Sequence, residues 1–393
     1  MTATLPYPFN PDAGLDISDR YWELQAAEGL ARVQLPAGEP AWLITRYADA
    51  RFVMGDKRFS RAMAVDRDAP RHTEGQPSTG GVAAMDPPEH TRLRTLVAKA
   101  FTVRRVEKLR PWVRELAEDY LDQLIALGQP ADLVAHYAKP IPVAVICELL
   151  GVPVADRPRF EGWTEKFLTT SGATAEEFAA TQQTVREYMA GLIAEHRENP
   201  RDDLMTALIE ARDVDDRLSE LELVDLCFGL LLAGHETTAS QLPNFVWMLL
   251  EHPDQLKLLR ENPELMANAV EELTRFTPLG VGASAARYAT EDVEVGGTLV
   301  REGEALIVSV GAANRDALRF PEPGVLDIQR PNLQHLGFAH GVHHCLGAHL
   351  ARMELQESLG ALLRRLPGLH LAGDVEWKRQ TVVRGPFSMP IGW

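Results

Sequence analysis

The chain has 393 residues, 45% hydrophobic and 24% charged, with a formal charge of −16. That composition is globular and large enough for one big domain or two, and so negative a surface excludes nucleic acid and anionic membranes as general partners. No apolar run approaches the ~20 residues of a bilayer span, and the three cysteines, Cys147, Cys227 and Cys345, give no disulfide framework, so a soluble, unprocessed protein of the reducing cytoplasm is expected.

In chain order, the first hundred residues mix short extended pieces, such as Ala41 to Ile44, with helices. Arg61 to Gly81 is rich in Pro, Gly, Thr and Arg and reads as a lid over a pocket. Asp86-Pro87-Pro88-Glu89 then starts a helix, with Asp86 as its cap and Pro87 in the first turn. Between His90 and Arg110 seven basic residues (Arg92, Arg94, Lys99, Arg104, Arg105, Lys108, Arg110) face one acid, Glu107, and form a local positive patch.

Helical spacing continues to Glu251. Ser219-Glu220-Leu221-Glu222 is a capping box, and the helix it opens should end at His252-Pro253 after a length of ~48 Å. Apolar on nearly every side from Leu226 to Leu232, it belongs in the core. Pro243 removes the hydrogen bond to the Ala239 carbonyl and should bend it. After Phe276 the period changes to two: Val293-Glu294-Val295, Gly296-Gly297 and Leu299-Val300 read as a hairpin. A Pro-rich stretch from Phe320 to Pro331 leads to a final helix from about Leu346 to Arg365. The fold class is mainly α with a minor β region, in a single domain over residues 1–393. Its β-rich part spans about 31–60 and 283–310, its helix-rich part about 86–276 and 346–365.

Just ahead of the final helix, Cys345 follows Phe338, Gly341 and His343 at offsets of −7, −4 and −2 and precedes Gly347 at +2. Amide hydrogens and the positive end of the helix dipole favour a thiolate there, and the glycines leave room for backbone beside a flat ligand. In the long helix, Ala233-Gly234-His235-Glu236-Thr237-Thr238 combines small residues, beside which a diatomic molecule could sit, with a carboxylate and a hydroxyl able to relay protons. A rival reading makes His335, His340, His343, His344 and Cys345 zinc ligands, although their spacing fits no common zinc pattern.

The cysteine segment, residues 338–347, resembles the haem-ligand loop of the cytochrome P-450 family, and the small-Gly-acid-Thr segment resembles that family's oxygen-activation motif. The resemblance extends over essentially the whole chain. It is nearest to actinobacterial members that oxidise macrolide antibiotics and related polyketides. It implies the cytochrome P-450 fold and haem b, iron protoporphyrin IX bound through the thiolate of Cys345, with Phe338 packed beneath the sulfur.

By the same resemblance, Glu236 and Thr237 would be catalytic and Ala233, Gly234, Gly341 and Gly347 would flank the cofactor. His90, Arg94, Arg287 and His343 would hold its propionates, while Glu272 and Arg275 would form a buried structural pair. Val82, Met85, Phe167, Leu230, Ala233, Leu279, Val281, Ala283 and Phe387 would line the substrate chamber. Ala339, where many relatives have glycine, should be tolerated.

The implied activity is a monooxygenase that hydroxylates or epoxidises a bulky lipophilic molecule. With no flavin or iron–sulfur motif in the chain, electrons should come from a separate ferredoxin and an NAD(P)H-dependent reductase, docked at the positive patch of a monomer. The alternative within haem chemistry is a peroxygenase or a ligand binder.

Overall fold

The computed structural model of the protein describes residues 4–10, 14–72, 81–168, 174–213, 218–280, 282 and 285–393. Its helices are α1 (Arg20–Ala26), α2 (Tyr47–Gly55), α3 (Glu89–Ala98), α4 (Val103–Leu127), α5 (Pro140–Leu149), α6 (Arg157–Leu168), α7 (Ala175–Glu198), α8 (Leu204–Asp213), α9 (Glu220–Glu251), α10 (Pro253–Glu261), α11 (Met266–Phe276), α12 (Val310–Ala313) and α13 (Ala348–Arg365). The largest apolar cluster draws on α3 to α11 and α13, and α9 runs through it.

Both ends of α9 follow from local chemistry. The Ser219 hydroxyl accepts the Glu222 amide at 3.2 Å while the Glu222 carboxylate accepts the Ser219 amide at 2.7 Å, so two otherwise orphaned donors are satisfied. At the far end His252 leaves helical geometry and Pro253 begins α10. Pro243 lies inside α9, which nevertheless continues as one helix. The apolar stretch is not covered all round: Gly229 and Ala233 are exposed and Leu230 is half-buried, so one face of α9 opens onto a cleft.

The strands are β1 (Leu5–Pro6), β2 (Ala31–Gln34), β3 (Ala41–Ile44), β4 (Phe59–Ser60), β5 (Ala131–Asp132), β6 (Arg287–Ala289), β7 (Val293–Val295), β8 (Thr298–Val300), β9 (Ala305–Val308), β10 (His370–Leu371), β11 (Glu376–Trp377), β12 (Pro386–Ser388) and β13 (Pro390–Gly392). The main sheet has the order β1-β2-β3-β9-β6-β4, with β3 and β9 parallel from Ala41↔Ala305 to Ile44↔Val308. β7 and β8 form the expected hairpin, turned by Gly296 and Gly297 at φ 54° and 80°, values an L side chain adopts poorly. The β structure also reaches beyond the expected stretches, into β1, β5 and the four strands after residue 369.

One helix start differs from expectation. Asp86 does not cap α3, whose first residue is Glu89 and whose N-cap position is Pro88. Asp86 accepts instead from the amides of Arg61 at 2.9 Å and Ala62 at 3.3 Å and from the Ser60 hydroxyl. Three donors at and just after the end of β4 outcompete the local cap, and they bring Arg61 and Asp86 together.

Candidate active site: a cysteine loop, a cation cluster and one face of the central helix

The chain reaches Cys345 through a tight loop. The Cys345 amide donates to the Phe338 carbonyl at 2.8 Å, and Ala339 and Gly341 take positive φ, 59° and 72°. A Cβ at Gly341 would lie 2.5 Å from the Met54 carbonyl oxygen and 2.9 Å from Gly55 Cα. Gly341 therefore makes room for the backbone of α2 beside the loop. Gly347 donates its amide to the Cys345 sulfur, and a Cβ there would meet no protein atom within 4 Å.

Cys345 is solvent-accessible, yet the surrounding protein pushes its thiol up, against the opposing pull of the Gly347 amide, Arg94 and Arg352. The Gly347 amide and the two guanidinium groups favour a thiolate, desolvation by the surrounding protein opposes it, and a metal at the sulfur would complete the deprotonation. Arg352 lies 4.3 Å from the centre of the Phe338 ring and bonds Glu271 at 2.5 and 2.9 Å, and Glu271 also meets His335 at 3.1 Å. Burial opposes charge on Glu271, but His335 and Arg352 hold its carboxyl down at about 2.

Beside the loop, α3 and β6 bring together a cluster of basic groups. His90 and His343 have ring centres 4.5 Å apart. Arg287 is 2% exposed, and both of its terminal nitrogens lack a partner, as do both ring nitrogens of the buried His90. Burial pushes Arg287 down to about 9, with Arg61 adding to it, and pushes His343 down to about 3, helped by Arg61, His90, Arg287 and Arg94. Arg94 reaches the His344 carbonyl. Buried cations without counter-charges are strongly unfavourable, so this cluster is built for an anion.

On the open face of α9, Leu230, Ala233 and Thr237 follow one another at helical steps. The Thr237 hydroxyl donates to the Ala233 carbonyl at 3.1 Å, leaving its oxygen able to accept a bond from the cleft. Gly234 serves packing rather than a diatomic ligand, because a Cβ there would lie 2.7 Å from Ile146 Cδ1 on α5. Glu236, three residues beyond Ala233, borders a cavity of about 990 Å³ lined also by Leu168, Ala239, Lys378 and Phe387. There it pairs with Lys378, and the Ser240 hydroxyl lies 3.3 Å away.

The sequence pattern described as Cytochrome P450 matches residues 160–370. Mycinamicin IV hydroxylase/epoxidase of Micromonospora griseorubida is 52% identical over 398 residues, covering 100% of both chains. Nocardicin C N-oxygenase of Nocardia uniformis subsp. tsuyamanensis is 48% identical, over 100% of this chain and 99% of that protein. A solved structure of HinD with NMFT and NO superposes with a TM-score of 0.97 at 47% identity, covering 100% of both chains. The chain belongs to the cytochrome P-450 family.

This cytochrome P-450 is a monooxygenase whose cofactor is haem b bound through a cysteine thiolate. The residues present fit that group. Cys345 would supply the sulfur, and the orphaned donors of Arg287 and His90 would serve as the partners that two propionate carboxylates require. Among the described residues no three His, Cys, Asp or Glu side chains converge as a zinc ion would need, which removes the zinc reading.

Two buried charged residues expected to be structural lie behind the site. Glu272 and Arg275 are joined by two bonds of 2.7 Å, with no side-chain exposure. Arg330, not foreseen, adds a third charge, its Nε donating to Glu272 at 3.1 Å.

Of the expected chamber residues, Val82, Met85, Phe167 and Leu230 pack against the edge of the main core. Phe167 contacts Phe228 at a ring separation of 5.0 Å. The Leu279 carbonyl accepts the Arg384 amide at 2.7 Å, and Phe387, 58% exposed, lines the Glu236 cavity. Val281 and Ala283 lie outside the described residues, as do residues 73–80 of the expected lid.

Sequence reasoning missed Arg61, Glu271, Arg352 and Lys378. Only Arg352 carried a sequence signal, seven residues beyond Cys345 on the same helix. The positive patch is smaller than its composition implied. Glu222 pairs with Arg92, and Glu107 and Glu357 pair with Arg110, while Lys99, Arg104, Arg105 and Lys108 stay exposed.

Proposed function

We propose that this chain hydroxylates or epoxidises a bulky lipophilic secondary metabolite, a macrolide or a related polyketide, with electrons from a separate ferredoxin and reductase. The observation that carries this reading is the 52% identity, over both full lengths, to a protein named as a hydroxylase and epoxidase of mycinamicin IV. The partly buried apolar side chains of Val82, Met85, Phe167 and Leu230 support it, since they offer dispersion contacts and few hydrogen bonds.

The haem, when bound, supplies the oxygen-activating redox chemistry. Cys345 would hold the iron, and Thr237, whose hydroxyl hydrogen goes to the Ala233 carbonyl, holds a water in the cleft against α9 by accepting its hydrogen bond. Glu236 takes up protons from the solvent-accessible cavity and passes them towards Thr237 by turning away from Lys378. On the opposite side, Lys99, Arg104, Arg105 and Lys108 form the docking surface for an acidic ferredoxin. They lie around the start of α4, which the Arg110–Glu357 bond ties to α13, the helix that follows Cys345.

Spectral titration of the ferric protein tests the substrate class: macrolides should shift it from low to high spin, and a response confined to peptide-derived or terpenoid compounds would reject that class. Thr237→Ala should abolish turnover driven by NAD(P)H through a ferredoxin pair while sparing turnover driven by peroxide. If only peroxide ever supports turnover in the native protein, it is a peroxygenase. Charge reversal at Arg104 and Arg105 should slow reduction at low salt without changing substrate affinity.

A further inference from the structure

Arg61 follows directly on strand β4, far in sequence from Cys345. Its guanidinium donates Nη1 to the Ala83 carbonyl at 2.9 Å, and its Nε is buried with no partner. Asp86 is the nearby acid, but the contacts of its carboxylate are with the amides of Arg61 and Ala62 and with the Ser60 hydroxyl. Among the described residues the Arg61 guanidinium therefore has no carboxylate bonded to it. The charged and titratable groups it acts on are Asp86, His90, Arg287 and His343.

We propose that Arg61 is a fifth member of the propionate cradle, with Arg287, Arg94, His90 and His343, and that it fastens the residues just after β4 to the carboxylate edge of the haem.

Charge balance supports this. Arg61, Arg94 and Arg287 are cations at neutral pH, Asp86 is the carboxylate that faces Arg61 and Arg287 among the described residues, and the two histidines contribute donors. Three guanidinium groups against Asp86 and two propionates leave no net charge at a poorly solvated edge. Without Arg61 the same set would hold an excess anion, which burial disfavours. Donor geometry agrees, since the Nη1 bond to Ala83 leaves Nε and the second terminal nitrogen for a carboxylate oxygen. Arg58 on the same segment serves as a contrast, because its guanidinium bonds Asp56 at 2.7 and 3.0 Å and needs no outside anion.

The test measures transfer of ferric haem from the holoenzyme to apomyoglobin, for the native protein, Arg61→Ala and Arg61→Lys. It is repeated with the same proteins carrying haem dimethyl ester, whose edge is uncharged. With native haem, Arg61→Ala should lose the cofactor about tenfold or more faster, as expected for one charge-assisted bond, with Arg61→Lys in between. The midpoint potential of Arg61→Ala should fall, since removing a cation favours the ferric state. With the diester, the three proteins should release haem at similar rates. Equal acceleration by Arg61→Ala with both cofactors would make Arg61 a brace for Ala83 alone and overturn the proposal. So would an unchanged rate with native haem.

Discussion

Two buried clusters stand about the haem loop, both built on arginine, to opposite ends. In the first, Glu272 takes bonds from Arg275 and Arg330 and also accepts the Asp327 amide at 3.1 Å, while the guanidinium groups spend their other donors on the carbonyls of Asn314, Pro321, Pro323 and Val325. In the second, the terminal nitrogens of Arg287 and both ring nitrogens of His90 have no hydrogen-bond partner among the described residues. A satisfied cluster braces the fold; an unsatisfied one of equal burial marks where a ligand completes it.

The contrast breaks most sharply at Arg275. Arg275→Ala leaves Glu272 as a buried charge and frees carbonyls that the guanidinium had bonded, so it should destabilise the protein by about 3–5 kcal/mol. Urea unfolding should show that loss whether or not haem is bound. A loss seen only in the holoprotein would assign this cluster to the cofactor as well.

A third buried charge group sharpens the comparison. Glu354 on α13 is 1% exposed and neither carboxylate oxygen has a partner, so it resolves its burial by holding a proton, with its carboxyl pushed up to about 8. Between the ordinary carboxylate range and pH 8 the folded state then binds a proton that the unfolded state has released. Stability must fall as pH rises through that window. Glu354→Gln keeps the neutral shape without the titration, so its advantage over the native protein should grow from pH 5 to pH 8 and then level off, at on the order of 3 kcal/mol. Tm measured across that range checks it; parallel curves for the two proteins would place a hidden partner at Glu354.

At Arg287 the expected effect is smaller and opposite in pattern to that at Arg275. Arg287→Met removes an unpaired buried cation, so the apoprotein should be no less stable, while haem affinity should weaken by about 2 kcal/mol for the lost charged hydrogen bonds. Apoprotein unfolding and haem transfer, measured side by side, separate the two. Destabilised apoprotein with unchanged haem release would reduce this cluster to the kind found at Glu272.

What the sequence made legible was local. The box at Ser219 and Glu222, the stop at His252-Pro253, the Gly296-Gly297 turn and the offsets around Cys345 each lie within a few residues, and the structure forms those elements there. What it hid was non-local. Arg61 and Arg287 lie 226 positions apart, Glu236 and Lys378 142 apart, so no short pattern joins either pair. Asp86 shows the same limit, since its setting before Pro87 suits a cap but donors beyond a long loop claim it. A glycine misled for a related reason: the absent Cβ at Gly234 announces a close neighbour without saying which, and the neighbour is Ile146.

Ala339 yields the smallest expected effect. Its φ of 59° is a left-handed conformation that costs an L side chain about 1–2 kcal/mol, and this chain bears that cost within the loop that positions Cys345. Ala339→Gly removes the strain but enlarges the conformational freedom of the unfolded chain by about 0.4–1 kcal/mol, so the net gain should be below about 1 kcal/mol. It should appear in the unfolding of apoprotein and holoprotein alike, because the strain is in the backbone and no charge changes. A gain confined to the holoprotein would mean that haem binding itself forces the Ala339 backbone into that conformation, and the loop would then belong with the cluster around Arg287, completed by its ligand, rather than with the self-contained one at Glu272.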